Sequence, residues 1–134
     1  MVLPQAEIAS VPLIVDIVED DDAVRDSMCE LLEAYGYVAR GYPSAAHFLE
    51  RGDAPGNCLI VDLHMPEMTG LELLEALRAQ NVRVPALIVT ARPDPSLQPR
   101  IERAQVVKLL QKPVEVDQLC GWIERACLNH ATRQ

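Results

Sequence analysis

The sequence predicts an alternating α/β fold, with a parallel sheet covered by helices on both faces. Five short apolar runs alternate with amphipathic helical segments, the pattern of a sheet buried on both sides. No internal repeat, linker or low-complexity tract interrupts residues 12–129. The 134 residues and 49% hydrophobic content suit one domain with one sizeable core.

The elements follow in order. Residues 13–18 are short, apolar and β-branched, and read as a strand. Val24, Met28, Leu31, Leu32 and Tyr35 recur at helical spacing, and Gly36 stops that helix. Residues 37–42 form a second strand. Ser44 caps a short helix through Leu49, with Gly52 as its stop. Residues 58–61 make a third strand. Thr69 opens the next helix with Glu72 three residues on, a capping-box signature, and Leu71, Leu74 and Leu77 are its apolar stripe. Residues 86–89 and 106–110 give two more strands. The last helix carries Val116, Leu119, Cys120, Ile123 and Cys127 on one face. The fourth helical unit differs. ARPDPSLQPRIERAQ holds Pro93, Pro95 and Pro99, and an interior proline costs a helix roughly 3 kcal/mol. An irregular loop followed by a short helix from about Pro99 to Ala104 is expected, with Pro99 near its start.

Composition narrows the function. A net charge of −8, from 20 acids and 12 bases, argues against direct nucleic-acid binding, which needs a basic face. No apolar run is long enough to span a membrane, and MVLPQAEIASVP does not read as a signal peptide, so a cytoplasmic protein is expected. Cys29, Cys58, Cys120 and Cys127 show no CxxC spacing and read as reduced core thiols. Residues 1–11 and 130–134 read as loose tails. His47 and His130 read as solvent-facing. Trp122 lies off the main stripe of its helix, either half-buried or a partner-facing anchor.

The charge pattern points to chemistry. The run IVDIVEDDD ends in four consecutive acids, Glu19 to Asp22. In open α/β sheets functional groups gather beyond the carboxyl ends of the strands. Glu19 and Asp20 fall after strand one, Asp62 ends strand three, Thr90 ends strand four and Lys112 follows strand five. Three acids, a hydroxyl and an ammonium therefore aim at one crevice. Two like charges about 4 Å apart repel by roughly 4 kcal/mol at an effective dielectric of 20, so such a cluster takes up protons or binds cations. Lys112 offsets one charge, and Mg²⁺ suits the remaining oxygens. A metal, a carboxylate, a lysine and a hydroxyl are equipment for phosphoryl transfer, with a carboxylate as nucleophile. Asp21 and Asp22 belong instead to the start of the first helix, where carboxylates cap free N–H groups. Asp16, a carboxylate within a central strand, has no role in this reading.

IVEDDDAVR, VDLHMPEMTGLELL, ALIVTA and the KP of LLQKPVEV resemble the response-regulator receiver domain of two-component signalling, over about residues 13–128. The resemblance implies a flavodoxin-like, doubly wound (βα)5 fold with strand order 2-1-3-4-5. It implies that Asp62 is the phosphoacceptor. Glu19 and Asp20 would be the acidic pair that holds Mg²⁺, with Asp20 the direct ligand, Asp62 a second and the His64 backbone carbonyl a third. Thr90 would be the switch hydroxyl and Lys112 the partner of the phosphoryl group, with a cis Lys112–Pro113 bond. It implies a sensor histidine kinase or phosphotransfer protein as phosphodonor, and an output domain or effector reached through the fourth helix, fifth strand and fifth helix. A homodimer is a further partner it allows. Catalysis would be limited to self-phosphorylation and slow autodephosphorylation.

Several residues depart from the family pattern. Glu19 stands where aspartate is commoner. Leu109 stands at the switch position, where relatives usually carry tyrosine or phenylalanine, and Gln105 replaces a common glycine. With the prolines of the fourth unit, these changes fall on the output face. They imply retained phosphorylation chemistry with altered transmission. His64 and Arg92, two residues beyond Asp62 and Thr90, occupy positions that in relatives tune phosphoryl lifetime, the alternative being that both are simply solvated loop residues. Two other classes compete. A non-phosphorylated interaction module is disfavoured by intact Asp62, Thr90 and Lys112. A phosphohydrolase usually needs a second acid where His64 stands. The chain is either a single-domain regulator or a receiver from a longer protein.

Overall fold

The computed structural model of the chain describes residues 11–132. The expected tails therefore lie largely outside the described residues. The elements alternate as the pattern predicts: β1 (Ile14–Val18), α1 (Asp22–Ala34), β2 (Val38–Tyr42), α2 (Ala45–Leu49), β3 (Cys58–Asp62), α3 (Gly70–Ala79), β4 (Ala86–Thr90), α4 (Gln98–Arg103), β5 (Lys108–Gln111) and α5 (Val116–Thr132). A 3₁₀ turn over Pro95–Leu97 leads into α4, and Pro99 falls in its first turn, where a missing N–H costs nothing. The last helix runs past residue 129, to Thr132.

All strand pairs are parallel, in the order β2-β1-β3-β4-β5. The winding reverses between β1 and β3, so a crevice opens at their carboxyl ends. Successive side chains of a strand face opposite ways. Val15 and Ile17 pack with Ile60 and Leu87 under α1 and α5, whereas Val18 packs with Leu59 and Val61 under α2, α3 and α4. β3 and β4 are buried at every position, which is why they read as unbroken apolar runs.

Helix ends follow local chemistry. Asp21 caps α1 by accepting the Val24 amide at 2.9 Å. Ser44 caps α2 in the same way, and Thr69 and Glu72 form the expected capping box on α3. Glu50, not Gly52, is the C-cap of α2. Three helices end in one hydrogen-bonded motif around a left-handed residue: Gly36 after α1, Asn81 after α3 and Gln105 after α4. At Gln105 the side chain lacks glycine's freedom and costs about 1 kcal/mol. Its Oε1 accepts from Arg83 at 2.9 Å, an anchor glycine could not provide.

Some expectations need correction. On α1 only Leu32 of the five stripe residues is fully buried, and Leu31 and Tyr35 are 49% and 52% exposed. Leu31 overhangs a groove rather than the sheet, and the Tyr35 hydroxyl reaches Asp117 of α5 at 3.5 Å. His130 is half-buried. Trp122 is half-buried too, its ring flanked by Arg125 at 4.5 Å and Lys108 at 5.2 Å. Nothing in the structure explains Gly121, whose added Cβ would meet open space.

Asp16 acquires a role. It is fully buried and accepts Arg40 through both oxygens, at 2.7 and 3.2 Å. The Gly56 amide donates to it at 2.6 Å and the Tyr42 hydroxyl at 3.4 Å. This carboxylate ties β1, β2 and the loop before β3 together. Its hydrogen bonds, then its charge, hold the Arg40 guanidinium above its ordinary range against the opposing effect of burial. Arg40→Met should destabilise the fold by about 3 kcal/mol, because it strands a buried charge. Urea denaturation measures this, and a loss under about 1 kcal/mol would contradict it.

Candidate functional site

The site is built from four segments at the carboxyl edge of the sheet. β1 delivers Glu19, which is 2% exposed, and Asp20, which is exposed. The Glu19 amide donates to the Tyr42 carbonyl and the Glu19 carbonyl accepts from Arg25 at 2.8 Å, so the turn is held from both sides. Asp62 closes β3 and is 6% exposed. Thr90 closes β4 and is fully buried. Lys112 follows β5, and its amide extends the ladder by donating to the Thr90 carbonyl at 2.8 Å.

Lys112 joins the acids. Its ammonium lies 2.6 Å from Glu19 Oε1 and 3.5 Å from Asp62 Oδ2. Burial alone would lower the Lys112 pKa, but the Glu19 hydrogen bond and the two carboxylate charges outweigh it and raise it. Asp20 is pushed up, first by burial and then by a hydrogen bond with Glu19. The other Glu19 oxygen accepts the Asp21 amide at 3.1 Å. Asp62 Oδ1 accepts the His64 amide at 3.3 Å. The Lys112–Pro113 peptide is cis, as the resemblance implies.

Glu19, Asp20 and Asp62 each offer an oxygen within 4.8 Å of the others. An all-oxygen set with one exposed carboxylate fits a hard divalent cation that keeps part of its water shell. Glu19 is already engaged through both oxygens, so Asp20 and Asp62 are the more open donors.

The Thr90 hydroxyl is turned to its own loop. It donates to the Arg92 carbonyl at 3.1 Å and accepts the Arg92 amide at 3.1 Å. The same carbonyl lies 2.9 Å from His64 Nε2, so His64 links the loops after β3 and β4. Leu109 pairs with Ile88 in the sheet and packs, half-buried, on the core under α3 and α4. Beside Lys112 a groove of about 510 Å³ opens between α1 and the loop after β5, lined by Val24, Met28, Leu31, Pro113, Val114 and Val116 among others.

Sequence reasoning missed two contributors. Arg25 clamps the Glu19 carbonyl and pairs with Asp22 at 2.6 Å. Gly70 lets α3 begin directly on the end of β3, since a Cβ there would collide with the Asp62 carbonyl and the Val61 side chain. The glycine that follows the Thr69 cap was the available signal.

Residues 15–124 match the family described as the response regulator receiver domain. The transcriptional regulatory protein FixJ of Azorhizobium caulinodans is 32% identical over 121 residues, covering 90% of this chain and 57% of FixJ. The response regulator TodT of Pseudomonas putida is 30% identical over 122 residues, covering 90% of this chain and 53% of TodT. The chain thus spans just over half the length of these curated relatives. The solved structure of FixJ-N is similar with a TM-score of 0.79 and 32% identity, covering 87% of this chain and 94% of that one. That of the response regulator StyR gives a TM-score of 0.82 and 33% identity, covering 90% and 61%. Sequence, strand order and the acid-lined carboxyl edge agree, and the chain belongs to the response regulator receiver domain family of two-component signal transduction.

Proposed function

We propose that Asp62 accepts a phosphoryl group from a phosphohistidine on a sensor histidine kinase or phosphotransfer protein. The observation that carries this reading is the meeting of Glu19, Asp20, Asp62 and Lys112 at one strand edge. A carboxylate oxygen of Asp62 attacks phosphorus in line, the P–N bond breaks, and the departing imidazole retains the electron pair and takes up a proton. Lys112, already beside Asp62, balances the charge gathering on the equatorial oxygens. Thr90 rotates its hydroxyl from Arg92 to a phosphoryl oxygen. Asp20, Asp62 and the His64 carbonyl would hold Mg²⁺, with Glu19 orienting the set. Bound there, Mg²⁺ would supply further neutralisation of the phosphoryl charge. The chain is a signalling acceptor rather than a turnover enzyme, working in the cytoplasm, and slow autodephosphorylation resets it.

Labelling by acetyl phosphate should be abolished in Asp62→Asn and by chelation of divalent ions. In the unaltered protein it should weaken as the buffer is acidified through the raised pKa of Asp20, because a protonated carboxyl cannot ligate. Persistent labelling of Asp62→Asn, read by intact mass, would refute the assignment.

The groove beside Lys112 is apolar and open, and suits the histidine-bearing helix of the phosphodonor. Leu31, half-exposed at its wall, is the probe. Leu31→Glu should slow transfer from the cognate kinase at least about tenfold, the worth of about 1.4 kcal/mol. Labelling by acetyl phosphate should stay unchanged, and equal loss with both donors would count against docking there.

Output leaves through α4, β5 and α5, to an effector, an output domain or a second copy of the chain. Leu109 has neither ring nor hydroxyl to follow Thr90, so transmission across this face is altered. Trp122, the one tryptophan of the chain, reports on it. Adding beryllofluoride with Mg²⁺ should shift the amide resonances of residues 19–20, 62–64 and 90–92 and leave Trp122 emission nearly constant. A large emission change would restore the usual switch.

A further inference from the structure

The core under α1 and α5 contains or touches all four cysteines of the chain. Cys58 and Cys120 are buried within it, and Cys29 and Cys127 are half-buried at its margin. Two of them meet. The Cys127 thiol, on α5, donates to the Asn57 carbonyl at 3.6 Å, and the residue bonded to that carbonyl is Cys58, the first of β3. Cys58 belongs to the core cluster under α5, and Cys127 packs half-buried against that same cluster. Residues far apart in sequence are thus brought side by side at the amino edge of the sheet, opposite the carboxylates of the phosphoacceptor site.

We propose that Cys58 and Cys127 are a peroxide-responsive pair that closes into a reversible disulfide between β3 and α5.

The two thiols are not equivalent. Cys127 is half-buried where Cys58 is buried, and its interaction with the neighbouring thiol holds Cys127 below its ordinary range. The same interaction, and burial next, push Cys58 well above its own. A thiolate is the reactive form, and an oxidant reaches the half-buried sulfur before the buried one. Cys127 is therefore the peroxidatic residue and Cys58 the resolving one. The Cys127 thiolate attacks one oxygen of hydrogen peroxide, breaking the O–O bond, to give a sulfenic acid and hydroxide. Cys58 then attacks the sulfenic sulfur, loses its proton, and the sulfenic oxygen leaves as water. The sum consumes two thiols and one peroxide and yields one disulfide and two waters. A thiol reductant reverses it by exchange. Closure ties α5 to the sheet across a long stretch of chain and removes conformations from the unfolded state.

The test needs only the intact protein. After treatment with hydrogen peroxide and blocking with N-ethylmaleimide, non-reducing peptide mass spectrometry should find a linked pair containing Cys58 and Cys127. Free thiols should fall from four to two and return with dithiothreitol. The urea midpoint should rise on oxidation. Cys127→Ser, at a half-buried position that spares the fold, should lose the link, and Cys58→Ser should leave Cys127 as a dimedone-reactive sulfenic acid. If Cys58→Ser fails to fold, the linked peptide of the unaltered protein and its loss in Cys127→Ser decide alone. Even oxidation of all four cysteines without a link, or a link through Cys120, would overturn the proposal.

Discussion

Glu19 and Asp62 are nearly buried carboxylates that share one ammonium, and the site depends on that arrangement. Like charges at about 4 Å repel by roughly 4 kcal/mol at an effective dielectric of 20, and an opposite charge at similar range returns about as much. Lys112, in contact with both acids, offsets that repulsion where water is scarce. Sheet order makes the contact possible. Glu19 and Asp62 come from adjacent strands, and Lys112 reaches them from beyond β5, its backbone fixed by the Thr90 carbonyl. Any slip of β1 against β3 would exchange the faces of their side chains and part the acids.

The molecule holds a second buried charge, and comparing the two separates structure from function. Both oxygens of Asp16 are saturated by Arg40, Tyr42 and Gly56, whose positions are set by β2 and the loop before β3. No lone pair is left for a ligand. At the carboxyl edge the opposite holds. Asp20 is exposed, and Asp62 meets one long ion-pair contact and one amide. Burial with full satisfaction marks a clamp. Burial with spare acceptor capacity marks a place where a cation or a transferred group is to be received.

Much of this was legible in the sequence. The strands were readable because burial on both faces makes them unbroken apolar runs, and the caps because Asp21, Ser44 and Thr69 act within one turn of chain. The acids, Thr90 and Lys112 were readable as strand-end residues once a parallel sheet was inferred. What could not be read depends on tertiary neighbours. Asp16 looked unexplained because its partners Arg40 and Gly56 lie in other elements. The exposure of Leu31 and Tyr35 follows from where α5 lies beside α1, which helical periodicity does not encode. Thr90 could be placed, but its bond to Arg92 depends on a loop conformation. The cysteines read as inert because their spacing carries no signal, and only the packing of α5 on β3 brings Cys127 to Cys58.

α5 is where these threads join. Its amino end follows the cis Lys112–Pro113 bond and walls the groove beside Lys112, its middle presents Trp122 between two cations, and its carboxyl half carries Cys127. The helix is held to the sheet mainly by Leu119, Ile123 and Ala126, an apolar contact joined by one weak bond from Cys127 to the Asn57 carbonyl. Such contacts fix position less tightly than hydrogen-bonded ladders, so modest energies at either end can bias where the helix rests. The proposed phosphorylation beside Lys112 would act near one end and the proposed disulfide at Cys127 near the other. On those two proposals, one helix would weigh two unlike chemical inputs.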